Sequence, residues 1–262
     1  MTPLITLTTD FGTRDPYVAE LKGVLYCEGP PGLTVVDLSH ELTPFDVHGA
    51  ALFVRAALPR FPRGSIHLVV VDPGVGSARR SLIVEREDML LVGPDNSLFS
   101  YLFDGSESVY TIAREALGPR AVASTFHGRD LFAPVVARLA SGASPSSFGP
   151  RAESYERMAF PMVDISGDSL HGRVIHVDRY GNLITNIAVQ MLRSFVGEAR
   201  LVVGVGERSI VGLVDHYAQG ELRGLLALIG SSGLLEIAAR EASAAELLDV
   251  GVGQLVRVTR AG

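Results

Sequence analysis

An apolar run that stops abruptly at an acid constrains this chain most. The β-branched segment Ile66–Val71 predicts a strand buried on both faces, and Asp72, Pro73 and Gly74 follow it directly. We therefore expect the acid at the carboxyl end of a strand, where open α/β sheets bind their ligands. Taken alone, the segment is equally consistent with a structural turn in which Asp72 pairs with Arg79.

Strand and helix patterns alternate around this run. In chain order they predict strands at 4–9, 33–38, 66–71, 81–84, 89–92 and 109–112, and helices at 17–25, 47–58 and 131–139. Alternation of this kind is typical of a parallel sheet with right-handed crossovers. The first half of the chain is therefore expected to form an α/β domain with a central, mostly parallel sheet.

The composition changes after residue 140. Residues 141–150 are rich in Ser, Gly and Pro and break the helical pattern. Short β-prone segments separated by turn signals then recur at 172–177, 183–187, 200–205, 225–229, 234–238 and 254–259. This spacing predicts a smaller all-β, barrel-like domain. The expected boundaries are 1–150 for the α/β domain, 151–165 for a linker and 166–262 for the β domain.

Charge and composition exclude several classes of protein. The net charge is −6 and no run of Lys or Arg exceeds two residues, which argues against a nucleic-acid or anionic membrane surface. A single cysteine excludes an internal disulfide and a Cys-based zinc cluster. No stretch approaches the roughly 18 apolar residues of a membrane helix, and no signal peptide is recognisable at the N-terminus. We expect a soluble, cytoplasmic protein.

The polar side chains that follow the predicted strands suggest a chemistry. Asp10, Asp72 and Asp95 follow strands and His127 precedes a helix, so one edge of the sheet should gather them. Asp72, Arg79 and His127 could together orient and deprotonate a water, with the carboxylate holding the imidazole or the water and the guanidinium keeping the carboxylate anionic. No metal-binding motif accompanies this set, so the electrophile must already bear a good leaving group.

A second set of acceptors suggests the ligand. Asp10, Asp15 and Asp178 suit ribose hydroxyls and an ammonium group, and the Asn182 amide can pair with adenine. On this pattern alone, a cationic nucleoside is only slightly favoured over another polar small molecule.

Six motifs then occur in order along nearly the whole chain: Thr9–Thr13, Thr43–Asp46, Val71–Gly76, Gly93–Asn96, Phe126–Asp130 and Asp178–Asn186. With these motifs the chain resembles the S-adenosyl-L-methionine (SAM) hydroxide adenosyltransferases, also called SAM hydrolases, which are relatives of the SAM-dependent fluorinases and chlorinases. The resemblance implies an N-terminal α/β domain and a C-terminal β-barrel. It also implies cleavage of SAM by water at the ribose 5′ carbon, giving adenosine and L-methionine without a cofactor or metal.

The resemblance further implies a homotrimer whose SAM sites lie between the N-terminal domain of one subunit and the C-terminal domain of its neighbour. It assigns Asp72, Arg79 and His127 to a water-activating triad, with Arg80 open as an alternative to Arg79. The substrate-binding positions that it implies are Asp10 for the ribose hydroxyls with Phe11 beside it, Asp15 and Asp178 for the methionine ammonium, Asn182 and Tyr180 for the adenine, Phe45 against the ligand, and Ser231 for the methionine.

Two other functions are weighed against hydrolysis. The halogenases of this family carry Tyr at the position of Asp72, and the fluorinase has a fluoride-binding Ser at that of Gly128, so Asp72 disfavours halogenation. A non-catalytic module that binds SAM or adenosine would bind tightly without turnover, and the intact set of Asp72, Arg79 and His127 counts against it.

Overall fold

The computed structural model describes residues 4–86, 89–119, 121–197 and 199–261. The chain forms two compact units, Met1–Met158 and Ala159–Gly262, and the division falls inside the segment 151–165 expected as a linker. Residues 151–158 belong to the first unit, where the backbone N–H of Ala152 donates to the Val109 carbonyl at 2.8 Å. In the part of the chain that the structure describes, no helix is long and apolar enough to cross a membrane.

A six-stranded sheet organises the first unit. Its strands are β1 (Leu4–Thr9), β2 (Thr34–Ser39), β3 (Ile66–Val70), β4 (Ser81–Arg86), β5 (Met89–Pro94) and β6 (Ser108–Thr111), in the spatial order β2-β1-β3-β5-β4-β6. The pairs β2–β1, β1–β3 and β3–β5 are parallel, whereas β4 pairs antiparallel with both β5 and β6. The sheet is therefore mixed, because β4 ends only a few residues before β5 begins and no crossover fits between them.

Helices cover both faces of this sheet. They are α1 (Tyr17–Glu28), α2 (Val47–Ala57) and α3 (Ala133–Ala140). Leu68 and Val70 of β3 share a core with α1 and α3, whereas Val69 and Val71 share one with α2. All five residues of β3 are buried. The prediction of a strand buried on both faces is confirmed.

The order of the strands places a reversal beside β1. The chain leaves β1 for β2 on one side and then crosses to β3 on the other. In sheets of this kind, ligands bind at the carboxyl ends of the strands where the order reverses. Asp10 directly follows β1 and Asp72 lies two residues beyond β3, so the two acids flank this position as the sequence predicts.

The second unit is built on one antiparallel sheet. Its strands are β7 (Asp164–Ser166), β8 (Ser169–Val177), β9 (Leu183–Ala188), β10 (Leu201–Val205), β11 (Arg208–Val211), β12 (Leu225–Ile229), β13 (Leu234–Ala239) and β14 (Leu255–Arg260). The spatial order is β11-β10-β14-β8-β9-β13-β12, with β7 on β8. The Val214 N–H donates to the Ala227 carbonyl at 2.9 Å, which ties the segment after β11 to β12 at the other edge. The sheet is therefore nearly barrel-shaped.

Two short α-helices, α4 (Val189–Val196) and α5 (Ala244–Leu248), interrupt the described part of this unit, so the expectation of an all-β domain is wrong in this respect. Helix α4 buries Leu192, Phe195 and Val196, which share one helical face. Ser243 caps the N-terminus of helix α5, and its hydroxyl accepts a hydrogen bond from the Glu246 N–H at 3.1 Å.

Candidate active site

A buried ion pair lies at the carboxyl end of β3. The Nε of Arg79 donates to Oδ1 of Asp72 at 2.7 Å, and Nη2 of the same arginine donates to Oδ2. The two side chains are only 5% and 8% exposed for Asp72 and Arg79 respectively. A bidentate guanidinium–carboxylate contact fixes both groups in one plane. Two members of the proposed triad, Asp72 and Arg79, are therefore hydrogen-bonded directly to each other.

Arg80, the alternative to Arg79, has another partner. Its Nε donates to Oδ2 of Asp95 at 2.8 Å, and Oδ1 of Asp95 accepts the Glu156 N–H at 2.7 Å. Arg80 and Asp95 thus fasten the segment at the end of the first unit to the end of β5. This geometry places Arg79, and not Arg80, on Asp72.

His127 reaches Asp72 only through Arg79. Its Nδ1 lies 2.9 Å from Nη2 of Arg79, and its side chain is buried. The sequence leaves open whether the Asp72 carboxylate holds the His127 imidazole or the water. Because the Arg79 guanidinium lies between Asp72 and His127, the carboxylate does not hold the imidazole. Burial, followed by the charges of Arg79 and Arg114, lowers the pKa of His127 below its usual range. The imidazole is accordingly neutral near pH 7.

Gly76 allows the loop after β3 to reach the segment before His127. It has φ +80°, and a Cβ at this position would lie 2.5 Å from the Ser124 carbonyl oxygen. Both the backbone conformation and the lack of space call for glycine. The loop that carries Arg79 is thereby packed directly against the residues that lead into His127.

A π-helical turn, Gly128–Phe132, follows His127 and merges into α3. Turns of this kind are rare and occur often at functional sites. A Cβ at Gly128 would lie 3.2 Å from the Phe126 ring and 3.4 Å from the Phe11 ring. A side chain at Gly128 would therefore crowd the aromatic rings beside it.

A pocket of about 380 Å³ opens beside this ion pair, within the range of roughly 300–1,000 Å³ typical of small-molecule sites. Among its lining residues are five predicted site residues: Asp10, Phe11, Phe45, Asp72 and His127. Arg79 contacts Asp72 without lining the pocket itself. Asp15 is exposed ahead of α1 and is also not a lining residue.

Three aromatic rings form one wall of the pocket. Phe11, Tyr17 and Phe126 contact one another edge to face, with ring centroids 5.2–5.9 Å apart. The guanidinium of Arg129 lies over the Phe126 ring at 5.0 Å. Such contacts fix the orientation of the rings and leave π faces for a ligand.

Phe45 has an unusual backbone conformation. Its φ is +67°, a region that costs a non-glycine residue about 1–2 kcal/mol. Its N–H donates to Oδ2 of Asp10 at 2.9 Å, and its side chain is 73% exposed at the pocket. The hydrogen bond stabilises the strained residue and orients the Asp10 carboxylate at the same time.

In the second unit, the structure brings three predicted residues together in the turn between β8 and β9. Oδ1 of Asp178 accepts the N–H groups of Tyr180 and Asn182 at 2.8 and 2.9 Å, and Oδ2 accepts the Asn182 side-chain amide at 2.9 Å. Asn182 is buried, whereas Tyr180 is 78% exposed. Asp178 therefore shapes the turn that presents the Tyr180 ring to solvent.

Ser231 does not join this turn. It lies in the exposed turn between β12 and β13. Because Leu183 pairs with Ile237 and Ala188 pairs with Leu234, that turn lies at the opposite end of the β9–β13 pair. The strand register thus separates Ser231 from Asp178 and Asn182.

Three polar residues near the pocket and near the Asp178 turn were not predicted from the sequence. Nη2 of Arg114 lies 3.3 Å from Nε2 of His127. The Tyr217 hydroxyl donates to Oε1 of the buried Glu236 at 2.7 Å. Burial, together with the charge of Asp178, raises the pKa of Glu236, and burial and Glu236 raise the pKa of Tyr217 to about 12. An acid inside the apolar strand β13 was the one available signal for this pair.

The described ranges contain no group of three or more His, Cys, Asp or Glu side chains placed to hold a metal ion. The fold and pocket thus define a two-unit protein with a small-molecule site at the edge of an α/β sheet. The chain belongs to the SAM hydroxide adenosyltransferase family: the model of the family's N-terminal domain matches residues 5–149 and that of its C-terminal domain matches residues 172–257.

Individual proteins are similar to this chain over almost its full length. The (R)-S-adenosyl-L-methionine hydrolase of Thermus thermophilus is 39% identical, over 98% of this chain and 100% of the relative. A fluorinase from Actinoplanes sp. is 28% identical, over 99% of this chain and 98% of its own length. A crystal structure of an uncharacterized protein from Thermotoga maritima superposes with a TM-score of 0.89 at 30% identity, over 98% of this chain and 100% of that one.

Proposed function

We propose that this protein hydrolyses SAM at the ribose 5′ carbon and releases adenosine and L-methionine. The observation that carries the proposal is the buried Asp72–Arg79 pair, which presents a fixed carboxylate to a pocket of suitable size. Fold alone does not imply an activity, but this site and the full-length similarity to named SAM hydrolases together support hydrolysis of SAM.

The proposed reaction needs only a water and an acceptor for its proton. The water oxygen bonds to C5′ while the C5′–S bond breaks, and the electron pair of that bond returns to sulfur, which leaves as the neutral thioether of methionine. Asp72 holds the water and accepts its proton, which then passes to solvent. Each Asp72 oxygen accepts one hydrogen bond from Arg79 and can accept a second, so each oxygen retains a lone pair and either can bind the water.

The pocket offers complementary groups for the rest of the substrate. Asp10 retains acceptor capacity beyond the Phe45 N–H and is proposed to bind the ribose hydroxyls. Phe11, Tyr17 and Phe126 are proposed to face the sulfonium, whose positive charge is attracted to the π faces of aromatic rings. Phe45 is proposed to cover the ligand from the exposed side.

The remaining assignments follow the family resemblance and are proposals of the same kind. Asp15 and Asp178 are proposed for the methionine ammonium, Tyr180 and Asn182 for adenine, and Ser231 for methionine. We also propose a homotrimer in which the second unit of a neighbouring subunit completes each site. Light scattering can test this by measuring the molar mass of the protein in solution. Independence of metal is proposed for the reaction, and the cytoplasmic location stays a prediction of the sequence.

The direct test is a product assay with purified protein and SAM. Equimolar adenosine and methionine, formed at the same rate with and without EDTA, are the expected result. Added chloride or fluoride should leave these products unchanged. Formation of 5′-halo-5′-deoxyadenosine would replace the proposal with a halogenase, and tight SAM binding without any product would replace it with a binding module.

A further inference from the structure

The imidazole of His127 lies between two guanidinium groups. Arg79 approaches Nδ1 at 2.9 Å and Arg114 approaches Nε2 at 3.3 Å. Arg114 is in the 3-10 turn Arg114–Leu117, far in sequence from the loop that carries Arg79. We propose that Arg114 is a positioning residue that keeps His127 uncharged, so that the imidazole holds Arg79 against Asp72.

The hydrogen-bonding capacity of the three groups supports this role. A guanidinium only donates, a neutral imidazole has one lone pair on its ring nitrogens, and an imidazolium has none. The shorter contact assigns that lone pair to Nδ1, where it accepts from Arg79. A second proton on His127 would break this contact and place a third positive charge between two others.

Four charged groups of the described residues act on the ring. Arg79 and Arg114 disfavour the protonated ring, and Asp72 and Asp130 favour it. Asp72 is engaged by Arg79 through both oxygens, and Asp130 by Arg129, which reduces what either acid offers the ring. Burial of His127 is the largest cause that lowers the pKa of the ring, and the charges of Arg79 and Arg114 add to it.

The first experiment measures the ring directly. The side-chain NMR resonances of His127, identified by their loss in His127→Gln, are titrated with pH in the wild type and in Arg114→Gln. We expect the titration midpoint to rise in Arg114→Gln and to stay near the wild-type value in Arg114→Lys, which keeps the charge. An unchanged midpoint in Arg114→Gln would overturn the proposal.

Arg138 provides a matched structural control. It donates to the carbonyls of Ala116 and Leu117 at 2.8 and 3.3 Å, in the same turn as Arg114, but not to His127. Arg138→Gln should therefore loosen the turn without moving the midpoint. A midpoint that rose equally in Arg138→Gln and Arg114→Gln would assign the effect to the turn and not to the charge of Arg114.

The second experiment is kinetic and rests on the proposed function. A ring with the ordinary pKa of about 6.5 is only about one-quarter neutral at pH 6, so the ratio of kcat at pH 6 to kcat at pH 8 should fall by up to about fourfold in Arg114→Gln. KM should change little. A uniform loss at both pH values would contradict the positioning role. Absence of SAM hydrolysis in the wild type would refute the proposed function and leave the NMR test standing.

Discussion

Asp72 and Asp178 are both held through two carboxylate oxygens, but by different kinds of partner. Asp72 is bonded to the side chain of Arg79, which in turn contacts His127, 48 residues further along. Asp178 is bonded to groups no more than four residues away in its own turn. The first arrangement exists only after the whole unit has folded, whereas the second is a local feature of a hairpin.

The difference separates two roles for a carboxylate. A charge positioned by tertiary contacts, buried and beside a pocket, can be aimed at a reacting atom. A carboxylate that accepts N–H bonds from its own turn mainly fixes the shape of that turn and the direction of the neighbouring side chains. We therefore expect Asp72 to govern turnover and Asp178 to govern affinity.

The largest effect is expected for Asp72→Asn. Loss of the proton acceptor should lower kcat by about 10²–10⁴-fold, the usual contribution of a general base. Adenosine binding, measured by calorimetry, should stay close to the wild-type value because the side-chain volume is retained. Asp37→Asn, on β2 and outside the pocket lining, is the control. Undiminished turnover in Asp72→Asn would show that Asp72 is not the proton acceptor in the reaction.

Acid should destabilise the first unit through His67. This residue is fully buried on β3, and burial lowers its pKa to about 4. The unfolded chain binds this proton with a pKa of about 6.5, so stability falls as the pH drops from about 6.5 towards 4, by up to about 3 kcal/mol. The protection factors of the β1 and β3 amides, which correct the measured hydrogen exchange for its slower intrinsic rate in acid, should fall over this range.

His67→Gln tests whether His67 causes the acid sensitivity, because it removes the titrating group while leaving a side chain that can still bond to the Thr6 hydroxyl. The acid-induced loss on β1 and β3 should shrink in the variant. Equal acid sensitivity in the variant and the wild type would assign the loss to other groups.

Arg79→Lys should lower kcat by about 10- to 100-fold, since a lysine cannot form the two parallel bonds to Asp72 or reach His127 at the same time. The matched variant Arg80→Lys changes the neighbouring arginine, whose partner is Asp95, and should have a smaller effect. Steady-state kinetics on both variants decide between them. A larger loss in Arg80→Lys would mean that the wrong arginine has been assigned.

The smallest effect is expected for Asp178→Asn, the same substitution as at Asp72. Loss of one charge and of part of the turn's hydrogen bonding should raise KM about three- to tenfold, equivalent to one hydrogen bond. The value of kcat should remain within about threefold of the wild type. If kcat fell as far as in Asp72→Asn, the division between turnover and affinity would be wrong.

Periodicity predicted the parts of this molecule that depend on local pattern. The alternation of strands and helices, the burial of Ile66–Val70 and the position of Asp10 and Asp72 at one sheet edge all follow from hydrophobic spacing and strand direction. The sequence pattern could not decide whether Arg79 or Arg80 pairs with Asp72, because only the folded loop determines the direction in which each of the two adjacent side chains points.

Contacts between distant segments had no such signal. Arg114 reaches His127 from a short 3-10 turn, and the register of β9 against β13 places Ser231 away from Asp178. The Arg114 contact and the position of Ser231 depend on tertiary packing, which a single sequence pattern does not encode. Helix α4 was also missed, although Leu192, Phe195 and Val196 follow helical spacing, because eight residues are too few for that spacing to stand out.

The most direct test of the central claim is hydrolysis of SAM in water enriched in ¹⁸O, with the adenosine analysed by mass spectrometry. If a water held by Asp72 attacks C5′, the wild type yields adenosine with one ¹⁸O atom at the 5′ position and methionine without label, and Asp72→Asn yields little of either product. Adenosine without ¹⁸O, or labelled adenosine formed by Asp72→Asn at the wild-type rate, would contradict the account.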